Sequence, residues 1–275
     1  MQDYAKYLRI EKFPLIFCPG CGDGIVLKAI LRAIDRLGLE RDEICMVSGI
    51  GCSSRTTGYV DVNTLHTTHG RALTFATGVK MVRPDLTVIV VTGDGDATAI
   101  GGNHFIHAAR RNIDLTVILY NNWIYGMTGG QVSPATPTGR FASTAPYGSI
   151  EPNFDIAALA AGAGASFVAR ETVAKPLLMD RLIEKAILKK GFSLVEVMTP
   201  CPTAYGRRNK AGDGVDMVHY LQEHAVPKAR ADLMTPEQRQ DAIVTGILVD
   251  RDLPEYTQQY ARLVETLRQP GGSPA

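Results

Sequence analysis

The chain has 275 residues, of which 45% are apolar and 21% charged, with a formal net charge of +1. This is enough for one large or two modest globular domains, and so small a charge makes no case for nucleic-acid or anionic-membrane binding. No apolar run reaches the roughly 18 residues of a membrane span, and Met1-Gln2-Asp3-Tyr4-Ala5-Lys6 lacks a signal-peptide core, so a cytoplasmic location is expected.

In chain order, Ile25, Leu27, Ile30, Leu31, Ile34 and Leu37 recur at helical spacing and predict a helix over 24–37. A short apolar strand follows at 44–47, then a helix over 71–82 closed by Arg83-Pro84. Val88-Ile89-Val90-Val91 reads as a buried strand that ends in the tight turn Gly93-Asp94-Gly95-Asp96. Residues 97–111 have the length of a crossover helix, and 115–120 reads as the next buried strand. Residues 129–152 are rich in Gly, Pro, Ser and Thr and show little periodicity. A loop of that length is usually functional or interface-forming. Helices over 154–162 and 173–189 alternate with strands at 166–169 and 193–197. The alternation predicts an α/β fold with a doubly wound, mainly parallel sheet over residues 1–202. Residues 203–275 read as a C-terminal extension, with helices near 235–249 and 253–267 and a disordered tail over 269–275. No internal repeat is apparent.

Asp94 and Asn122, 28 positions apart, should lie at the carboxyl ends of two neighbouring parallel strands, where open α/β sheets bind ligands. A carboxylate oxygen, an amide oxygen and a nearby backbone carbonyl make a partial shell of hard ligands for magnesium, which phosphate oxygens would complete. The glycines around Asp94 let backbone approach a phosphate closely.

The cysteines form a second constellation. Cys18-Pro19-Gly20-Cys21, Cys52 and Cys201 all lie among Gly and Pro on loops, whereas Cys45 falls inside a strand pattern and reads as a small packed hydrophobe. Four loop cysteines are compatible with a [4Fe–4S] cluster, with a structural zinc, or with free or redox-active thiols. Gly49-x-Gly51-x-x-Ser54 is a weak dinucleotide-like pattern lacking its third glycine. His69 or Arg71 is positioned to reach a phosphate or a substrate carboxylate. His104 and His107 read as partly exposed helix residues. The basic run Arg207-Arg208-Asn209-Lys210 reads as a solvated face or as a surface for an acidic or subunit partner.

The Gly93-Asp94-Gly95 turn followed by Asn122 resembles the diphosphate motif of thiamine diphosphate enzymes. Together with Cys-Pro-Gly-Cys-Gly, Gly-Ile-Gly-Cys-Ser-Ser, Ala-Thr-Gly-Val-Lys, Tyr-Gly-Met-Thr-Gly-Gly-Gln and Pro-Cys-Pro-Thr, it makes the chain resemble the β subunit of 2-oxoacid:ferredoxin oxidoreductases over nearly all of residues 13–260. The resemblance implies that Cys18, Cys21, Cys52 and Cys201 hold one [4Fe–4S] cluster and that Cys45 is a bystander. It implies that Asp94, Asn122 and the carbonyl of Ile124 hold Mg2+. Ile50, Gly51, Cys52, His69, Gly93, Gly95, Asp96, Gly126, Met127 and Thr128 would line thiamine diphosphate, with His69 the candidate catalytic side chain. The implied reaction converts a 2-oxo acid and coenzyme A to acyl-coenzyme A and CO2, with electrons passing to ferredoxin. The partners implied are an α subunit in an αβ or (αβ)2 assembly, ferredoxin, coenzyme A and the 2-oxo acid. Because only the diphosphate-binding domain is recognisable, the chain is expected to be inactive alone.

Two-subunit members with Tyr-Gly-Met resemble this chain and act on 2-oxoglutarate, whereas pyruvate enzymes usually carry Ser-Asn where Gly126-Met127 stands. The expected substrate is therefore 2-oxoglutarate, with pyruvate the alternative, in a pocket made roomier by Gly126. Arg140 is a local candidate for the distal carboxylate. Two other classes remain open: a non-oxidative thiamine-dependent decarboxylase component, and an iron–sulfur electron carrier.

Overall fold

The computed structural model describes residues 4–268, so the tail expected to be disordered lies outside the described residues. Helix α1 spans Asp23–Arg36 and strand β1 Ile44–Ser48; β2 follows at Asn63–His66, α2 at Ala72–Val82 and β3 at Thr87–Gly93. Then come α3 at Gly102–Arg110, β4 at Thr116–Asn121, and a small antiparallel pair, β5 at Ile124–Tyr125 and β6 at Gln131–Val132. Helix α4 spans Ile156–Ala163, β7 Phe167–Thr172, α5 Pro176–Leu188 and β8 Ser193–Met198. Strands β9, Ala225–Pro227, and β10, Ile243–Asp250, complete the main sheet.

The sheet has eight strands in the order β2-β1-β3-β4-β8-β7-β10-β9. All pairings are parallel except that of β10 with β7. Strands β1, β4 and β8 are buried along their whole length, because helices cover both faces of the sheet. That explains their unbroken apolar runs. One face packs Ile30 and Ile34 of α1 and Met179 and Ile183 of α5 against Met46, Ile89 and Val195. The other packs Leu73 and Ala76 of α2, Phe105 of α3 and Ala160 of α4 against Val47, Val90 and Leu119.

From β1 the chain goes to β2 on one side, whereas β3 and β4 lie on the other. The crevice beyond the carboxyl ends of β1 and β3 is thus the topological switch point, where sheets of this kind bind ligands.

Three local readings are corrected. The helix expected near 235–249 is a single turn, Pro236–Arg239, followed by strand β10. Ile243, Val244, Thr245, Ile247 and Val249 are β-formers. Gly246, at φ +100°, lies in β10, the antiparallel strand next to the edge strand β9, beside a register shift between Ile247 and Val249. The crossover expected over 97–111 divides into a π-helical turn, Asp96–Ile100, and α3. Strand β2 and the helix Gly214–His224 were not anticipated.

Candidate active site

The switch-point crevice opens into a cavity lined by every residue expected to contact thiamine diphosphate or its magnesium: Ile50, Gly51, Cys52, His69, Gly93, Asp94, Gly95, Asp96, Asn122, Ile124, Gly126, Met127 and Thr128. Asp23, Ser53, Tyr120 and Tyr125 line it too and were missed.

Asp96 organises the crevice. Its carboxylate accepts hydrogen bonds from His69 Nδ1 (2.6 Å), Gly70 N (2.8 Å), Ile50 N (3.3 Å) and Thr92 Oγ1 (2.7 Å). One buried side chain therefore ties the loop after β1 and the loop before α2 to the end of β3. The bond fixes the proton of His69 on Nδ1 and leaves Nε2 free to act in the cavity. Gly49 is obligatory: a Cβ there would lie 2.0 Å from the Asp96 carboxylate. Arg71 does not line the cavity; its guanidinium contacts His104 on α3.

Asp94 is only 3% exposed and accepts one side-chain hydrogen bond, from Ser133 Oγ at 2.5 Å. Burial pushes its carboxyl up to about 7 despite that bond and backbone donors, and the Glu196 charge adds to the rise. A buried carboxylate held this poorly is suited to a cation with further oxygen ligands. Asn122 supplies an amide oxygen that also accepts from Ile124 N at 3.2 Å, forming the turn beside Asp94. Asn121 fixes that turn from behind: its Oδ1 accepts from Trp123 N (3.1 Å), and its Nδ2 donates to buried Glu196 (2.7 Å). Tyr125 donates its hydroxyl to Gly95 O at 2.9 Å, and its ring covers Gly95 so closely that a Cβ there would lie 2.4 Å from it. The backbone at Gly93-Asp94-Gly95 is thus held in place at the cavity wall. The donor set at Asp94 suits magnesium diphosphate.

A neighbouring cavity is lined by Cys18, Cys21, Cys52 and Cys201, with Ile16, Phe17, Arg55 and Thr203. The hydroxyl of Thr203 stands 3.8 Å from Cys18 Sγ and 3.9 Å from Cys201 Sγ. A Cβ on Gly126 would meet Cys201 Sγ at 3.2 Å, so glycine lets the backbone reach the sulfurs. Burial, then the Asp23 charge and the neighbouring thiols, pushes Cys52 up to about 12, and burial raises Cys21 further. Thiolates could exist together here only with a compensating cation. Among the described residues, no three His, Cys, Asp or Glu side chains converge tightly enough for a single metal ion. Four thiols rimming one cavity are a donor set that suits a sulfide-bridged cluster. Cys45 lies within β1, packed in the core away from this rim.

Asp23 begins α1, is 1% exposed, and has neither carboxyl oxygen in hydrogen-bond geometry. Burial raises it to about 6, with the Cys21 thiol opposing the rise. Its place two residues after Cys21 was the available signal. Arg140 does not reach the switch-point cavity and lines a separate one. The room expected at Gly126 faces the cysteine sulfurs.

Residues 49–197 match the model of the thiamine pyrophosphate enzyme C-terminal TPP-binding domain. The chain is 52% identical to the 2-oxoglutarate synthase subunit KorB of Methanocaldococcus jannaschii, over 98% of this chain and 99% of that one. It is 46% identical to the 2-oxoglutarate oxidoreductase subunit KorB of Mycobacterium tuberculosis, over 68% of this chain and 50% of that one. Among solved structures, the 2-oxoglutarate:ferredoxin oxidoreductase of Magnetococcus marinus, with 2-oxoglutarate, coenzyme A and succinyl-CoA bound, superposes with a TM-score of 0.87 at 34% identity, covering 99% of this chain and 92% of that one. With the switch-point cavity, the Asp94–Asn122 pair and four rimming cysteines in place, these likenesses put the chain in the thiamine diphosphate-binding β-subunit family of the 2-oxoacid:ferredoxin oxidoreductases.

Proposed function

We propose that this chain serves the oxidative decarboxylation of 2-oxoglutarate with coenzyme A to succinyl-coenzyme A and CO2, passing electrons through one [4Fe–4S] cluster to ferredoxin. The observation that carries the reading is that the two cavities share a wall: Cys52, Asn122, Gly126 and Met127 line both. A diphosphate site and a four-thiol site separated by single residues suit carbon chemistry coupled to short electron transfer. That coupling distinguishes the reading from a non-oxidative decarboxylase and from a plain electron carrier.

Asp94, the Asn122 amide oxygen and the Ile124 carbonyl would hold magnesium against the diphosphate, with Gly93 and Gly95 allowing close approach. Cys18, Cys21, Cys52 and Cys201 would hold the cluster. Bound thiamine supplies the electron sink that lets a 2-oxo acid lose CO2. Asp96 holds His69 by Nδ1, so its Nε2 would meet a substrate oxygen or a phosphate. Ile50, Met127 and Tyr125 give the cavity wall an apolar stretch.

Among the described residues, no Lys or Arg lines the switch-point cavity, so the cation for the distal carboxylate of 2-oxoglutarate would come from an α subunit in an αβ or (αβ)2 assembly. The loop over 129–152 offers a surface for that contact: Tyr147 is 97% exposed and Ile150 92% exposed. Among the described residues, no helix is long and apolar enough to cross a membrane, consistent with work in the cytoplasm.

The test is to purify the chain anaerobically alone and with its α subunit, then measure iron, sulfide, thiamine and 2-oxo acid-dependent ferredoxin reduction. Four irons per chain, with activity only in the complex, is the expected result. Zinc in place of iron, or activity of the single chain, would overturn the reading.

A further inference from the structure

A third cavity opens behind the Asn122–Ile124 turn. Trp123, Tyr205, Tyr220, Arg140, Asn209 and Lys210 contribute to its lining. Trp123 adopts a left-handed backbone, φ +63°, which a bulky side chain rarely does. The consequence is a division of the turn: Asn122 and Ile124 line the switch-point cavity, and the indole lines the cavity behind it. Its ring centroid lies 5.4 Å from that of Tyr205 and 6.4 Å from that of Tyr220, whose ring is itself stacked on His224 at 3.8 Å, so mutually packed aromatic rings form one wall of the cavity. Asn209 holds the rim together. Its Nδ2 donates to Phe141 O (3.0 Å) and Tyr205 O (3.0 Å), and its Oδ1 accepts from Phe141 N (2.8 Å).

Arg140 and Lys210 are exposed, and neither has a carboxylate partner among the described residues. Among the described residues, no acidic side chain lines the cavity. A recessed aromatic wall beneath two unpaired cations selects a planar ring that carries phosphate: the wall offers aromatic contact to the ring, and the cations offer charge-assisted bonds. An acidic protein surface would use the cations but leave the recessed rings unfilled.

We propose that this cavity is a subsite for a nucleoside phosphate. Two sources present that chemistry. One is the nucleotide end of coenzyme A, an assignment that rests on the function proposed above; the other is a free adenine nucleotide acting as a regulator.

The experiment is calorimetric titration of the cofactor-loaded complex with adenosine 3′,5′-bisphosphate, ADP and ATP. It is repeated for Arg140→Ala, Lys210→Ala, Tyr220→Ala and Tyr220→Phe. Binding of at least one probe is expected, weakened about tenfold by each alanine substitution and retained in Tyr220→Phe, whose ring still stacks. Preference for the bisphosphate, with KM for coenzyme A raised and kcat unchanged in Arg140→Ala, assigns the site to coenzyme A. Preference for ADP or ATP with an unchanged KM assigns it to a regulator. Failure of all three probes to bind, or binding indifferent to all three alanine substitutions, overturns the proposal. Ferredoxin reduction with a 2-oxo acid in the same preparation scores the functional reading separately, because nucleotide binding here does not require turnover.

Discussion

Asp94 and Asp96 stand two positions apart and meet different environments. Asp96 accepts from four donors on three segments, whereas Asp94 has a single side-chain donor. The first is satisfied by the fold and the second is left to a ligand. Asp94→Asn should therefore weaken magnesium and thiamine diphosphate binding by roughly a hundredfold or more and leave the visible spectrum of the cluster intact; calorimetry beside an absorption spectrum checks both. The cysteines divide in the same way. Serine at Cys18, Cys21, Cys52 or Cys201 should abolish or degrade the broad absorption near roughly 400 nm. Cys45→Ser should keep it, at a modest cost in stability, because Cys45 packs within β1. Full iron content in Cys201→Ser would remove that residue from the ligand set.

At the scale of elements, the Asn122 turn rests on a chain of charges that runs from buried Glu196 through Arg170 to exposed Asp155. Glu196 of β8 accepts from Asn121 Nδ2 (2.7 Å) and from Arg170 Nε (2.8 Å), and Arg170 also pairs with Asp155 at the start of α4 (2.5 Å). Glu196 is 1% exposed. Arg170→Met would leave it charged, buried and without its cation, so the chain should lose about 3 kcal/mol or more in urea unfolding. A loss below about 1 kcal/mol would mean that Glu196 finds another partner or a proton. The β-strands that carry the site were legible because apolar runs such as Val88 to Val91 are long, β-branched and bounded by glycine. Element ends were legible where Gly or Pro marks them. Residues 243–250 misled because this mostly half-buried apolar stretch has no strict alternation, and Gly246 breaks its pattern. Ser133 and Tyr125 were invisible for another reason. Ser133 reaches the Asp94 turn from a loop and Tyr125 from the short strand β5, and such contacts follow from tertiary folding.

For the molecule as a whole, the question is which acid the assembled site prefers. Met127 is 44% exposed on the wall shared by the two cavities and offers no amide donor to a small polar substrate. Gly126 turns toward Cys201 and Cys52, so the extra room it was expected to give lies on the sulfur side and does not lengthen the substrate pocket. Length preference must then come from the far wall, which this chain leaves open and without Lys or Arg. A five-carbon diacid needs a cation there, and a three-carbon acid does not. The likeness to 2-oxoglutarate synthase subunits across almost the full chain favours a partner that provides one. Steady-state kinetics of the αβ complex should give a higher kcat/KM for 2-oxoglutarate than for pyruvate. Replacing the responsible α-subunit cation should raise KM for 2-oxoglutarate while sparing pyruvate, because only the longer acid reaches it. A higher kcat/KM for pyruvate in the unaltered complex would reverse the assignment.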